Sequence, residues 1–130
     1  MHIVIATSPQ TPALDASDQL YGDALQALGA TVSTLPWTAI GAVRLQTADA
    51  VVLRSTWGYH NHVAAFRDWI DLLDESGVRA FNPPDMLRWN IDKAYLHDLA
   101  ARGINVPATV AIEAEDQAAL SACFERLGAE

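Results

Sequence analysis

The sequence predicts an α/β fold with a doubly wound, mainly parallel sheet, and three observations support this fold class. Short apolar runs alternate along the chain with stretches of helical periodicity. One run, residues 50–53, is apolar at every position, which is typical of a strand covered on both faces. Glycine follows the helical stretches, where it ends helices readily. Strand–helix–strand units with right-handed crossovers then give an open sheet with helices on both faces.

The first half of the chain contains three predicted strands and one predicted helix. Residues 2–6 form the first strand, and a polar loop broken by proline follows. The first helix is predicted from an apolar stripe at helical spacing that ends at Gly29: Leu20, Ala24, Ala27 and Leu28. Residues 30–35 and 50–53 form the second and third strands.

A second helical stripe and a fourth strand come next. The stripe ends at Gly77 and consists of Val63, Phe66, Trp69, Ile70 and Leu73. Residues 78–81 form the fourth strand. It stops at Asn82, because Pro83 and Pro84 lack the N–H that a central strand needs.

The pattern changes beyond Asn82. A short segment over residues 85–90 precedes a helix that carries Leu96 and Leu99. A further strand over residues 108–112 is followed by a helix with Leu120, Phe124 and Leu127. We therefore divide the chain into an α/β domain over residues 1–90 and a second part over residues 91–130.

Composition argues against several classes of partner. The 130 residues include 8 basic and 16 acidic side chains, for a formal charge of −8, and 51% are hydrophobic, enough for a core. So few cations cannot form the basic surface that binding to nucleic acid or to an anionic membrane requires. A single cysteine, Cys123, cannot form an internal disulfide, and no apolar run is long enough to cross a membrane. We expect a cytoplasmic protein.

The candidate ligand site lies after the third strand. Ligands of open α/β sheets bind beyond the carboxyl ends of the strands. Arg54 can bind a carboxylate or phosphate, Ser55 and Thr56 offer hydroxyls, and Trp57 and Tyr59 offer stacking faces. The alternative is structural: Arg54 pairs with a nearby acid, and Trp57 fills a gap under the loop.

Motifs for other chemistry are missing from the sequence. It has no nucleophile elbow, no P-loop and no dinucleotide fingerprint after the first strand. His60 and His62 have no further ligand to complete a metal set, and we assign no catalytic residue and no metal site. A free-standing binding or signalling module, flavodoxin-like or receiver-like, stays open as an alternative class.

Two motifs lie on either side of the fourth predicted strand. Upstream is R-S-T-W-x-Y-H, starting at Arg54. Downstream are an N-P turn at Asn82, an asparagine and D-K opening a helix, a leucine-rich helix ending in glycine, and V-P-x-T. Together they resemble ATP-grasp ligases, in the branch of glutathione-synthetase-like, ribosomal-protein-S6-modification-like and cycloserine-forming enzymes. This resemblance implies a Rossmann-like pre-ATP-grasp domain followed by the first strand and helix of an ATP-grasp module.

The resemblance assigns roles to individual residues. Lys93 matches the first of two lysines that anchor the phosphates of ATP. Lys93 is also predicted in the first turn of its helix, with Asn90 as the N-cap, where the helix dipole favours an anion. Alternatively, Lys93 pairs at the surface with a neighbouring aspartate. The residues that match substrate-facing positions are Arg54, Ser55, Thr56 and Asn82.

The resemblance also implies a reaction. Such ligases use ATP and magnesium to turn a carboxylate into an acyl-phosphate, from which an amine or similar nucleophile displaces phosphate. The implied substrate is a small carboxylate or an amino-acid-like molecule. The second lysine, the adenine clamp and the magnesium ligands are expected beyond Glu130, so we expect these 130 residues alone to be inactive and without cofactor. The strand over residues 108–112, lacking neighbours, is predicted to be mobile or to pair two copies into a homodimer.

Overall fold

The computed structural model describes residues 1–112 and 117–127 of the chain. The chain divides into two compact units, Met1–Ile91 and Asp92–Glu130. The strands of the first unit are β1 (His2–Thr7), β2 (Thr31–Pro36), β3 (Ala50–Ser55) and β4 (Arg79–Phe81). Its helices are α1 (Ala16–Ala27), α2 (Ala42–Leu45), α3 (Val63–Ser76) and α4 (Pro84–Asn90), with short 3₁₀ turns at Trp37–Ala39 and Tyr59–Asn61. The second unit contains α5 (Tyr95–Ala101) and α6 (Gln117–Leu127).

The four strands form one parallel sheet in the order β2-β1-β3-β4. Apolar side chains cover both of its faces. On one face, Val4 and Val51 pack into a large cluster with α2 and α3. On the other face, Ile3 and Val52 pack with partly buried side chains of α1. The predicted doubly wound α/β fold is therefore confirmed.

The larger cluster is centred on α3, whose predicted apolar stripe is confirmed. Its buried members are Phe66, Trp69, Ile70 and Leu73. The indole N–H of Trp69 donates to the carbonyl of Ile40 at 3.0 Å, so burial of this ring leaves no unpaired donor. The aromatic rings of Phe66, Trp69 and Trp37 lie within 5.2–6.1 Å of one another. This cluster fixes α3 against the sheet and supports the end of β3.

Helix α1 buries a different face from the one that the apolar stripe predicted. Leu20 and Leu28 are 72% and 84% exposed. The buried residues of the helix are Asp18 and Gly22. A Cβ at Gly22 would lie 3.3 Å from Leu14 and 3.8 Å from Ile5, so the absence of a side chain lets the helix approach β1 closely. The periodicity predicted the helix correctly, but the face that packs on the sheet contains Gly22 and Asp18 together with the partly buried Tyr21 and Leu25.

The junction after β4 also differs from the prediction. Pro84 occupies the first turn of α4, where its fixed φ favours a helix start, and the helix continues to Asn90. Asn90 is therefore the last residue of α4 and not the N-cap of the following helix, as predicted. Lys93 is not in the first turn of α5 but in the turn before it, where its carbonyl accepts from Leu96 N–H at 3.0 Å.

The strand predicted over residues 108–112 is wrong: residues 104–112 have no regular secondary structure. A strand needs a neighbour with which to form hydrogen bonds, and the described part of the second unit contains none. The helix predicted after it is confirmed as α6. Association of two copies through this segment stays a prediction, now without a preformed strand to support it. Of the helices in the described residues, none has the length and apolar character to span a bilayer.

Candidate functional site

The sheet has a topological switch point between β1 and β3. From β1 the chain runs outward to β2 on one side, then crosses back to β3 on the other, so the loops that follow β1 and β3 diverge. The loop after β1 is closed by its own hydrogen bonds: the Thr7 hydroxyl donates to the Pro12 carbonyl at 3.1 Å, and the hydroxyls of Ser8 and Thr11 lie 2.7 Å apart. The polar side chains that line a cavity at this edge belong to β3, to the loops after β3 and β4, and to α4.

A cavity of about 170 Å³ lies beside the end of β3. Its lining comes from β3 and α3, from the loops after β3 and β4, and from α4. The lining residues are Leu53, Arg54, Thr56, Tyr59, Phe66, Asn82, Leu87, Asn90 and Ile91. Four of the predicted substrate-binding residues are among them: Arg54, Thr56, Tyr59 and Asn82. The Tyr59 ring stacks on Phe66 with centroids 4.8 Å apart, so the aromatic cluster forms one wall of the cavity. The arrangement combines a guanidinium, a hydroxyl and amides with an aromatic surface.

Two predicted residues are not part of this cavity. Ser55 is buried, and its hydroxyl donates to Asp18 Oδ2 at 2.5 Å. Trp57 is 67% exposed and precedes Gly58, whose φ of +77° makes a turn that suits glycine. The prediction that Ser55 faces the same concave surface as Asn82 is therefore wrong, since its hydroxyl is bound to Asp18. Trp57 does not line this cavity, and its role in substrate binding stays a prediction. The structural alternative for Trp57 is wrong, since so exposed a ring fills no gap.

Arg54 does have the acidic partner that the structural alternative expected. Its Nε and Nη2 each lie 2.7 Å from Asp18 Oδ1. Asp18 is 3% exposed, whereas the Arg54 side chain is 40% exposed. Burial by itself raises the pKa of the Asp18 carboxyl, but the hydrogen bonds from Ser55 and Arg54 and the charge of Arg54 outweigh burial, and the net pKa lies below the ordinary value. Asp18 is thus an ionised, buried carboxylate, and Arg54 reaches both this acid and the cavity.

The lowered pKa of Asp18 predicts a pH dependence of stability. A carboxyl whose folded-state pKa lies below its unfolded value of about 3.9 stabilises the fold above that value, and this contribution is lost as the pH falls through the folded-state pKa. We expect the free energy of unfolding of Asp18→Asn to fall furthest below that of the parent near neutral pH, and the gap to begin to narrow only as the pH drops below about 4. Urea titrations across pH measure this gap. Equal behaviour in Asp23→Asn, an exposed acid of the same helix, would contradict it.

Sequence reasoning missed two polar residues near this site. Asp18 lies in the first turn of α1, where acids are common, and nothing in the sequence shows that it faces Arg54. Asn90 was interpreted as a cap, but it lines the cavity. A better signal for Asn90 was available, because Pro83-Pro84 marks a helix start and places Asn90 two turns later.

A second charged cluster lies at the surface between α3 and α4. The Arg88 guanidinium contacts Asp71 and Asp74 at 2.8 Å and Asp85 at 3.3 Å. The hydrogen bonds that Arg88 donates to Asp71 and Asp74 raise the pKa of Arg88, so it stays charged. This guanidinium is bound to carboxylates of its own unit, and the cluster joins α4 to α3.

Lys93, the residue that matches an ATP-anchoring lysine in the resemblance, lies in the second unit. The Lys93 Nζ lies 5.3 Å from the centroid of the Tyr95 ring, a cation–π distance. Lys93 is thus one cation two residues ahead of α5, and its role toward a nucleotide stays a prediction. Within residues 1–112 and 117–127, no group of three or more His, Cys, Asp or Glu side chains could hold a metal ion.

Comparison with known proteins identifies the family. The sequence profile of the family described as "D-cycloserine synthetase DcsG, N-terminal domain" matches residues 3–82. The "Cycloserine biosynthesis protein DcsG" of Streptomyces lavendulae is 34% identical over 108 residues, which cover 82% of this chain and 35% of that protein. A solved structure described as "Crystal structure of D-cycloserine synthetase DcsG" matches with a TM-score of 0.79 and 26% identity, covering 97% of this chain and 42% of that chain.

This chain thus spans less than half the length of these relatives. The relatives fit the cycloserine-forming branch of the resemblance found in the sequence, and their synthetase name agrees with a ligase class. The profile match runs from β1 through the end of β4 and includes Arg54 and Asn82. From these matches, the chain belongs to the family of D-cycloserine synthetase N-terminal domains.

Proposed function

We propose that this chain is the substrate-facing front domain of an ATP-dependent ligase, which activates a carboxylate as an acyl-phosphate and joins it to an amine or similar nucleophile. The observation that carries this proposal is the cavity beside β3, where Arg54, Thr56 and Asn82 converge in a domain of a synthetase family. A ligase needs its front domain to bind and orient the reacting groups, because positioning supplies a large part of the rate. A free-standing flavodoxin-like or receiver-like module finds no comparable support.

The size and lining of the cavity suggest the class of substrate. Its volume of about 170 Å³ is below the roughly 300 Å³ at which sites for drug-sized ligands begin, so it suits a molecule no larger than an amino acid. Arg54 offers a guanidinium to an anionic group, Thr56 and Asn82 offer hydrogen bonds, and Tyr59 offers a flat apolar face. We propose an amino-acid-like substrate related to D-cycloserine, the compound named by the relatives.

ATP and magnesium belong to this proposal as partners of the whole enzyme, meaning this domain joined to the remaining length that the relatives have. Lys93 would hold a phosphate of the nucleotide, and the nucleotide supplies the phosphoryl group that activates the carboxylate. Productive phosphoryl transfer also needs metal ions and several oriented donors around the transferred group. We therefore propose that the 130 residues alone neither ligate substrates nor hydrolyse ATP.

Replacing Arg54 tests the role of the cavity. We expect Arg54→Ala to weaken binding of D-cycloserine about tenfold or more, since it removes a charged donor from a small site. In the whole enzyme the same change should raise the KM for the carboxylate substrate far more than the KM for ATP. Isothermal calorimetry and steady-state kinetics measure the two effects.

Arg44→Ala, which removes an exposed arginine from α2, is the matched control and should leave both values within about twofold. If Arg54→Ala changes neither D-cycloserine binding nor the substrate KM, Arg54 is purely structural and the proposed site is wrong. If the KM for ATP changes most, the cavity belongs to the nucleotide.

A further inference from the structure

Asp18 is a buried carboxylate with more donors than a surface acid of a helix usually has. Two hydrogen bonds and an ion-pair contact reach it: Arg54 Nε donates to Oδ1 at 2.7 Å, the Ser55 hydroxyl donates to Oδ2 at 2.5 Å, and Arg54 Nη2 lies 2.7 Å from Oδ1. Its own backbone is fixed too, because the Asp18 N–H donates to the capping carboxylate of Asp15 at 2.7 Å. Both oxygens of Asp18 are therefore held in one geometry at the start of α1.

An irregularity of the sheet lets two consecutive residues reach this one carboxylate. In a regular strand the side chains of Arg54 and Ser55 would point to opposite faces. Here the register between β1 and β3 shifts: Ala6 pairs with Leu53, but Thr7 pairs with Ser55, so Arg54 has no partner in β1. Such shifts re-aim side chains, and this one lies at the topological switch point where ligands of open sheets bind.

The flat face of the Arg54 guanidinium packs against an aromatic ring. Its central carbon lies 5.1 Å from the centroid of the Tyr21 ring, one turn along α1 from Asp18. Asp18 occupies the Nε and Nη2 side of the group. Across the described ranges of the chain, no acceptor is hydrogen-bonded to Nη1 of Arg54. The Nε and Nη2 edge of the guanidinium is thus fixed by Asp18, whereas the N–H groups of Nη1 stay available to a ligand.

We propose that Asp18 is a positioning residue: it fixes one edge of the Arg54 guanidinium so that the Nη1 edge is presented to the anionic group of the substrate. This proposal rests on the proposed function, because it needs Arg54 to bind substrate. Its physical basis is preorganisation. A long arginine side chain that is already held in one rotamer loses less conformational freedom when the anion binds.

Because Asp18 is charged, the proposal and its structural alternative predict opposite changes in anion affinity when Asp18 is replaced by asparagine. A carboxylate 2.7 Å from the guanidinium weakens the attraction between Arg54 and an anion. If Asp18 were only a structural clamp between α1 and β3, Asp18→Asn would relieve this competition, and the anion would bind more tightly. If Asp18 positions Arg54, the same substitution releases the side chain, and the anion binds more weakly.

The experiment titrates D-cycloserine into Asp18→Asn, Arg54→Ala and the double variant of the full chain by isothermal calorimetry. We expect Asp18→Asn to weaken binding about fivefold to tenfold, and to have no further effect in the Arg54→Ala background, because the group that it positions is gone. Asp23→Asn, on the exposed side of α1, should stay within about twofold of the parent. Ser55→Ala removes a single neutral donor from Asp18, and we expect it to weaken binding about twofold to threefold in a chain that still folds.

The outcomes separate this proposal from the proposed function. If Arg54→Ala leaves D-cycloserine binding unchanged, the proposed function of the cavity fails. If Arg54→Ala weakens binding but Asp18→Asn strengthens it or leaves it unchanged, the cavity stands and Asp18 is not a positioning residue. Additive effects of the two substitutions would likewise overturn the proposal. If Asp18→Asn does not fold, the result for Ser55→Ala decides it, and unchanged binding in Ser55→Ala overturns it.

Discussion

Replacing Phe66 by alanine is expected to lower the free energy of unfolding by about 3–5 kcal/mol, the cost of removing a buried aromatic ring. The ring is 4% exposed and lies at the centre of the aromatic cluster, with centroids 5.2 Å from Trp37, 4.8 Å from Tyr59 and 5.5 Å from Trp69. No neighbour can fill the space without leaving its own contacts. The loss should appear as a lower urea midpoint, followed by tryptophan fluorescence.

The same substitution also affects the site, because Phe66 lines the cavity. We expect Tyr59 to lose the ring on which it stacks, and D-cycloserine to bind more weakly to the protein that remains folded. Phe81→Ala is the matched control, since Phe81 is 52% exposed in β4 of the same unit, and it should cost about 1 kcal/mol. Equal losses at the two positions would show that the aromatic cluster does not hold this unit together.

Replacing Lys93 by alanine in the whole enzyme should reduce kcat/KM for magnesium-ATP about 100-fold, the usual scale for losing one charged donor at a transferring phosphoryl group. The same substitution in this chain should change little, because one cation next to Tyr95 does not make a nucleotide site. Calorimetry with magnesium-ATP measures the second expectation directly.

A cation at the other end of α5 provides the control for Lys93. Arg102→Ala should leave kcat/KM for magnesium-ATP within about twofold of the parent. Micromolar binding of magnesium-ATP to this chain, abolished by Lys93→Ala, would show that the nucleotide site is already complete here. An equal loss in both variants would mean that net charge around α5 matters and Lys93 has no special role.

The sheet could be predicted because its two central strands, β1 and β3, contain continuous apolar runs, and burial on both faces leaves few other structures for such runs. The position of the candidate site after β3 followed from the same topology, and Arg54, Thr56, Tyr59 and Asn82 line one cavity there. These features depend on residue type and sequence distance alone.

The errors come from features that residue type does not encode. Ser55 was misplaced because the register shift at Arg54 breaks the alternation of side chains in β3. The apolar stripe on α1 was misleading because close approach at Gly22 and the ion pair of Asp18 select the opposite face. The strand over residues 108–112 was predicted from apolar content, which favours a strand only when another strand is there to pair with it.

The central place of β1 has a consequence for synthesis of the protein. Of the four strands, β1 is made before the others, yet it lies between β2 and β3, and its residues Ile3 to Ala6 are at most 4% exposed in the folded unit. Adding the chain from Thr7 to Ser55 takes on the order of 2 to 10 s at ordinary translation speeds. Throughout that interval the nascent chain carries an apolar strand with at least one unpaired edge, which favours non-native pairing until β3 has been made.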